Sequence, residues 1–470
     1  MKKIYIFLLF SLLLLSCNKF IDVVPKGKTI PTSVDDLAKL MNCSAHDDKY
    51  NRTAVAPTTS AFDLLTDDGY ISDIPNTWVS YASAPKWMQN MSKWAPYIYE
   101  LSEEDPNWNK FYKAIYILNY IIENVDVAAE GRVYNREDIK GRALTHRALN
   151  YLILLNIYAN HYDIKTAGTD LGVPLILQSD ITVSYPRSTV AKVYEQIIND
   201  LENALKLLKY DLGEYNHIPG RATANAILAR TYLYMGDNDK SYHYVCEALK
   251  VKSSLCDLNL VEYEVPGAPW IGLKNYEIRE AFNPEILFNH DPGNGWGYIS
   301  SDLQAIYGGL QDLRLRYFCL KWPEAGCVDY VALNGGPVHS GINIGELWIT
   351  KAETAIRKRN PEPNVTLKVL NHLRKFRIDK AVYKPYTENN PDKLLRLVLD
   401  ERRRELPANE LRWFDLKRLN KNPKTAKTIT HKNNGKTYIL EPNSPLYVLP
   451  IPKNVMVLNS KLIQNPAPGR

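Results

Sequence analysis

The chain has 470 residues, 45% of them hydrophobic, a balance that excludes a disordered or collagen-like chain and leaves room for one large domain or two to three smaller ones. The net charge of +6, or +4 without Lys2 and Lys3 of the leader, is too small an excess to mark a nucleic-acid surface. Tyr outnumbers Phe 31 to 10, with 9 Trp besides, so rings are wanted where one edge meets water, at surfaces or binding sites.

The first element is a leader, MKKIYIFLLFSLLLLSC: a basic start and an apolar run too short to cross a bilayer. Leu14-Leu15-Ser16-Cys17 matches the bacterial lipobox, in which the Cys becomes lipidated and N-terminal. Residues 1–16 then form a signal peptide and Cys17 carries an acyl anchor; the alternative is a plain secretory leader with an incidental Cys. Five cysteines remain without any CxxC pair, so zinc-ribbon and thioredoxin readings fail. A local disulfide between Cys319 and Cys327 stays open beside the blander reading of scattered, buried thiols.

Ser33-Val34-Asp35-Asp36 predicts a capped short helix through Met41. From 42 to 99 periodicity is poor and Trp, Tyr, Pro, Asp and Ser dominate, as in a long functional loop. Asp105-Pro106 opens a helix whose face is Phe111, Ile115, Leu118, Ile122 and Val125, and Glu103-Glu104-Asp105 is its N-terminal charge. Further helices are predicted over 138–161 and from Ser188. In 221–253, Leu228, Ala229, Tyr232, Gly236, Val245 and Ala248 fall where a tetratricopeptide repeat needs its packing residues, although Ser241 stands where Ala is preferred. One such repeat cannot bury its own face, so neighbouring helix pairs must stack on it. After a second irregular, aromatic-rich segment at 258–294, helices resume at 346–359, 365–377 and from Pro391. The Asn- and Pro-rich end reads as chain laid over the surface.

The search for chemistry is mostly negative. Gly27-Lys28-Thr29 and Gly435-Lys436-Thr437 lack the Gly that a phosphate-binding loop requires, and Gly293, Gly295 and Gly297 lack dinucleotide spacing. No metal or cofactor motif and no nucleophile with its base occurs, and His146 and His161 read as core histidines. Arg402-Arg403-Arg404 is neutralised by Asp400, Glu401 and Glu405, the spacing of a helical ion-pair network. Asp67-Asp68 is a carboxylate pair in a loop suspected of function.

ERRRELPANELRWFDLKRLNK at 401–421 closely resembles the C-terminal signature of the SusD/RagB-like outer-membrane nutrient-binding lipoproteins of Bacteroidetes. Glu401, Arg402, Arg403, Glu405 and Leu406 match, as do Arg412, Trp413, Phe414, Asp415, Leu416, Lys417 and Arg418, while 407–411 departs by lacking an aromatic and a Gly. The lipobox with FIDVVPKGK, then RALNYLILLNIYANHY, GVPLIL, RSTVAKVYEQIINDLENAL, ANAILARTYLYMGD, NPEILFNH and LPIPKNVMVLNSKLIQNP resemble family segments in the expected order.

The resemblance implies a mainly α fold, a tetratricopeptide-like scaffold with loop-rich excursions, which the repeat at 221–253 argues for independently. It also implies one domain over 17–470, with an N-terminal part to about 255 and a C-terminal part from about 256, exposed on the outer membrane beside a SusC-like TonB-dependent transporter. Three functions are weighed: a non-catalytic glycan-binding protein, a peptide- or protein-binding scaffold, and a helical glycoside hydrolase or lyase, which needs paired carboxylates at a set separation. A sugar is held by a planar ring against its C–H face with polar groups at the rim. The candidate site therefore comprises Trp78, Tyr81, Trp87 and Trp94 from the first irregular segment, Trp270, Trp296 and Tyr298 from the second, and Asp67 and Asp68. Trp296 among its glycines leads, followed by Trp270 and Trp87; Trp108 and Trp413 are assigned to scaffold.

Overall fold

Side-chain caps fix where the helices start. The computed structural model describes residues 31–42, 55, 62–75, 80–265, 274, 283–289, 298–322, 327–329, 341–407, 409 and 411–469. Helix α1 (Val34–Asn42) opens on the capping box: the Asp36 N–H donates to Ser33 Oγ at 3.2 Å and the Ser33 N–H to Asp36 Oδ2 at 3.3 Å. After the short α2 (Lys86–Ser92), α3 (Pro106–Asn124) starts from Asp105, whose carboxylate accepts the Asn107 N–H at 2.9 Å. Phe111, Ile115, Leu118 and Val125 are buried as the periodicity requires, with Ile122 half-buried. Helix α4 (Arg136–Tyr158) is buried along almost its whole length because α3 covers one side and α5 (Val190–Leu207) another. Its Arg147 is tolerated inside by a two-pronged pair with Asp200 at 2.7 and 2.8 Å.

Helices α6 (Arg221–Met235) and α7 (Asn238–Val251) form the repeat predicted from sequence. Ala229 and Ala248 are buried where the helices approach, and the Tyr232 ring stacks on Tyr244 with centroids 5.6 Å apart. Gly236 takes φ +77° to end α6, a conformation that side-chain-bearing residues adopt only with strain. Ser241 replaces Ala without leaving a bare hydroxyl, because it donates to the Ala229 carbonyl at 2.7 Å. The short α8 (Ser301–Tyr307) and α9 (Leu313–Phe318) precede α10 (Ile344–Arg357), which packs on α7, on α11 (Pro363–Lys375) and on α12 (Pro391–Glu405). Helices α13 (Arg412–Leu419) and α14 (Lys453–Leu458) complete fourteen helices among the described residues. The succession α3 to α7, then α10 to α12, is the stacked helical scaffold that the sequence led us to expect.

Strands are short and serve to tie loops. In chain order they are β1 (Gly69–Tyr70), β2 (Leu171–Pro174), β3 (Arg187–Thr189), β4 (Ile286–Phe288), β5 (Tyr298–Ile299), β6 (Leu320–Trp322), β7 (Cys327–Asp329), β8 (Ile342–Asn343), β9 (Ile429–Asn433) and β10 (Lys436–Leu440). The largest sheet has the order β1-β5-β7-β6, all antiparallel.

The C-terminal segment departs from expectation. It is not merely laid over the surface: Tyr447, Val448, Leu449, Ile451 and Asn465 are buried, and the Leu449 N–H donates to Ile157 at 3.1 Å, sealing the end of α4. Before it stands a hairpin, β9–β10, turned by Asn434 at φ +50° and Gly435 at φ +70°. That Asn-Gly turn explains the Gly435-Lys436-Thr437 triplet that imitates a phosphate loop.

Candidate functional site

The first irregular, aromatic-rich segment and the strand just after the second meet at one sheet, although Gly69 and Ile299 lie 230 residues apart in sequence. Gly69 pairs with Ile299 and Tyr70 with Tyr298, whose rings lie 5.6 Å apart. Gly69 must be small, since a Cβ there would stand 2.8 Å from the Asp63 carbonyl oxygen. The first segment closes on itself through the Ser72–Ser80 bridge, the Tyr81 N–H donating to Ser72 at 2.7 Å.

Buried charge pins this junction to the scaffold. Arg412 grips Asp67 with two bonds of 2.8 and 2.9 Å, and Lys427 reaches the same carboxylate at 2.7 Å. Arg403 holds Asp68 and also Asp302 on α8, the latter at 2.8 Å. Burial opposes the Asp67 charge, but Arg412 and Arg403 outweigh it and hold the carboxyl ionised well below its usual range. Asp63 behaves oppositely: burial, then the neighbouring Asp68 charge, raises it to about 8, so it carries a proton at neutral pH.

The same signature continues inward. Arg314 is surrounded by Asp312, Glu401 and Glu405, and Arg377 by Glu285 and Glu405, all at 2.7–2.8 Å. Arg402 meets Asp415 at 2.7 Å, and Arg418 meets both Asp415 and Glu353. Arg404 pairs with Glu401 three residues earlier at 2.7 Å, as the spacing suggested. Burial works against the charges on Glu401 and Asp415, yet the guanidiniums beside them hold both at about 2. The arginine cluster is scaffold.

Four expected site residues prove internal and are corrected here. Asp67 and Asp68 are buried and already occupied by arginine. Trp94 is 4% exposed, stacks on His431 at 4.3 Å and donates its indole N–H to Leu65 at 2.9 Å. Tyr298 is buried under Tyr70. Asp67, Asp68 and Trp94 sit in irregular backbone that is nonetheless core, and Tyr298 in the two-residue strand β5, which absence of periodicity cannot reveal. Tyr81 and Trp87 are half-exposed, Trp87 stacked on Tyr99 with centroids 6.3 Å apart. Trp78, Trp270, Trp296, the glycines around Trp296, and Cys17 with its leader lie outside the described residues. Trp108 and Trp413 are buried scaffold, as expected.

Sequence reasoning missed the β9–β10 hairpin, which clasps the first segment. The Asn434 N–H donates to Asp73 at 2.7 Å, Asn433 Nδ2 donates to the Ser92 carbonyl at 3.0 Å, and His431 lies between the carbonyls of Ser92 and Thr66. It brings half-exposed Tyr438 toward Tyr81, whose hydroxyl is held protonated by burial and then by that neighbour. Asn434-Gly435 between alternating residues was the available signal. Among the described residues no cluster of His, Cys, Asp or Glu is arranged to hold a metal, and no helix is long and apolar enough to cross a membrane.

This is a helical-repeat scaffold whose irregular segments are tied together by short strands. A family model described as starch-binding associating with outer membrane matches residues 19–233, and the SusD family model matches 328–468. The chain belongs to the SusD family. A SusD superfamily protein from Bacteroides vulgatus aligns at TM-score 0.68 with 22% identity, covering 92% of this chain and 97% of its own. A SusD-like carbohydrate binding protein from the same organism aligns at 0.63 with 19% identity, covering 91% and 94%. Surface glycan-binding protein A from Bacteroides uniformis aligns at 0.64 with 17% identity, covering 86% and 92%. No curated protein matches the sequence.

Proposed function

We propose that the protein is a non-catalytic lipoprotein that captures an oligo- or polysaccharide at the outer membrane and delivers it to a SusC-like TonB-dependent transporter. The observation that carries this reading is the pairing of β1, within the first aromatic-rich segment, with β5, just after the second. Trp296, Trp270, Trp87, Trp78 and Tyr81 supply the ligand-stacking rings. The family's description as starch-binding and the glycan-binding neighbours support a sugar as the ligand. Binding without hydrolysis agrees with the acids at the junction, Asp67, Asp68 and Asp302, being committed to Arg403, Arg412 and Lys427. Residues 17–470 act as one domain behind the cleaved leader 1–16, anchored through acylated Cys17 and exposed on the cell surface.

An array carrying both glycans and peptides tests the ligand class. Retention of glycans without release of shortened products is expected; retention of peptides alone would replace the reading with a peptide carrier. Protease shaving of intact cells tests exposure, and protection equal to that of a periplasmic marker would refute it. Co-purification with a TonB-dependent transporter from solubilised membranes tests the partnership.

A further inference from the structure

A cavity of about 410 Å³ lies where the end of α4, the β2–β3 hairpin, α13 and the C-terminal strap meet. None of its lining residues belongs to the aromatic loops, so it is separate from the glycan face. Two cations are buried in its wall. Arg187, 8% exposed, donates to the carbonyls of Gly172, Leu171, Tyr158 and Ile463 at 2.6–3.2 Å. Lys417, 4% exposed, donates to the carbonyls of Asn156 and Ala159 at 2.5 and 2.7 Å. Neither meets a carboxylate among the described residues, in contrast to the guanidiniums of the adjacent signature. Of the five Arg187 N–H groups four are used, and of the three on the Lys417 ammonium two are used, which leaves each one donor.

Further positive or donor groups line the same space. Lys421 stands exposed at the rim. His161, nine-tenths buried, has Nδ1 without any partner. The acids nearby are few. Asp170 at the mouth takes the Thr166 hydroxyl at 2.7 Å, and Asp415, close to His161, is committed to Arg402 and Arg418. Burying a cation without an opposite charge costs several kcal/mol, and carbonyl dipoles offset only part of it.

We propose that this cavity is an oxyanion-binding site, in which the anion supplies the counter-charge that Lys417 and Arg187 lack, the rim Lys421 adds a further positive charge, and His161 adds a neutral ring nitrogen at the wall. Its volume admits either a free inorganic oxyanion or the carboxylate of a sugar acid. Burial and then Lys421 lower the Lys417 amine to about 7, so an entering anion restores its proton. Burial, followed by Lys417, Arg418 and Lys421, keeps His161 neutral.

The test is isothermal titration of the mature protein at pH 7.0 and low salt with inorganic phosphate, sulfate, glucuronate and, as the uncharged control, glucose. Saturable one-to-one binding of at least one anion, with none for glucose, is expected. Binding of phosphate or sulfate alone assigns the site to a free ion; binding of glucuronate assigns it to a sugar acid. Lys421→Glu lies on the surface and leaves the fold intact, and it should weaken the anion about tenfold. Proton uptake, read by repeating the titration in buffers of different ionisation heat, should disappear in Lys417→Met. Absence of anion binding, or affinity unchanged in Lys421→Glu, overturns the assignment. Neither result bears on the aromatic face.

Discussion

Asp63 offers a perturbation whose size follows from its surroundings. Its folded-state value of about 8, against an ordinary 3.8, comes from burial and then from Asp68. At pH 7 the unfolded chain's carboxyl is ionised, so folding must add a proton, at about 1.36 kcal/mol per pH unit above the unfolded value, or about 4 kcal/mol. The raised value fixes the sign: the native state is not penalised below pH 3.8 and loses stability as pH climbs toward 8. Asp63→Asn removes that penalty, while its amide adds a buried donor costing about 1–2 kcal/mol. The variant should gain about 2–3 kcal/mol at pH 7 and gain nothing at pH 4. Urea unfolding of both proteins at half-unit steps from pH 4 to 8.5 measures the difference directly. A gap that stays flat with pH, or a variant less stable at pH 8, would refute the reasoning.

Other consequences concern the scaffold. Arg418→Met removes the guanidinium that Glu353 and Asp415 share, leaving Glu353 with Arg357 and Asp415 with Arg402, and should cost about 3 kcal/mol by thermal or urea unfolding. Ser241→Ala loses the bond to Ala229 and should cost about 1 kcal/mol by the same measurement. Gly435→Val forces a β-branched residue to φ +70°, costing about 1–2 kcal/mol. The hairpin should loosen, and Trp94 fluorescence should shift red as His431 leaves its face.

Much of the scaffold was legible because its determinants are local. Asp105-Pro106, the Phe111 to Val125 periodicity and the Ala229, Tyr232 and Ala248 pattern each specify their own helix or helix pair. The ion-pair reading of Arg404 with Glu401 was legible for the same reason, being three residues apart. Arg412 with Asp67, 345 residues apart, was not, and that distance hid why Asp67 and Asp68 are structural. Trp94 and Tyr298 failed on a related point: irregular backbone was equated with exposed backbone, whereas buried arginines and a short sheet draw it inside. The β9–β10 hairpin was missed although its Asn-Gly turn was written in the sequence, because each strand is only five residues long.

The central claim is that the aromatic loops, tied together at β1 and β5, hold a glycan. Its most direct test is affinity electrophoresis through gels containing the polysaccharide that retards the wild-type protein, comparing it with a variant carrying alanine at Trp296, Trp270 and Trp87. With circular dichroism and melting midpoint unchanged, the triple variant should migrate as it does in a gel without polysaccharide. Retardation equal to that of the wild type would contradict the account and move the site off these loops.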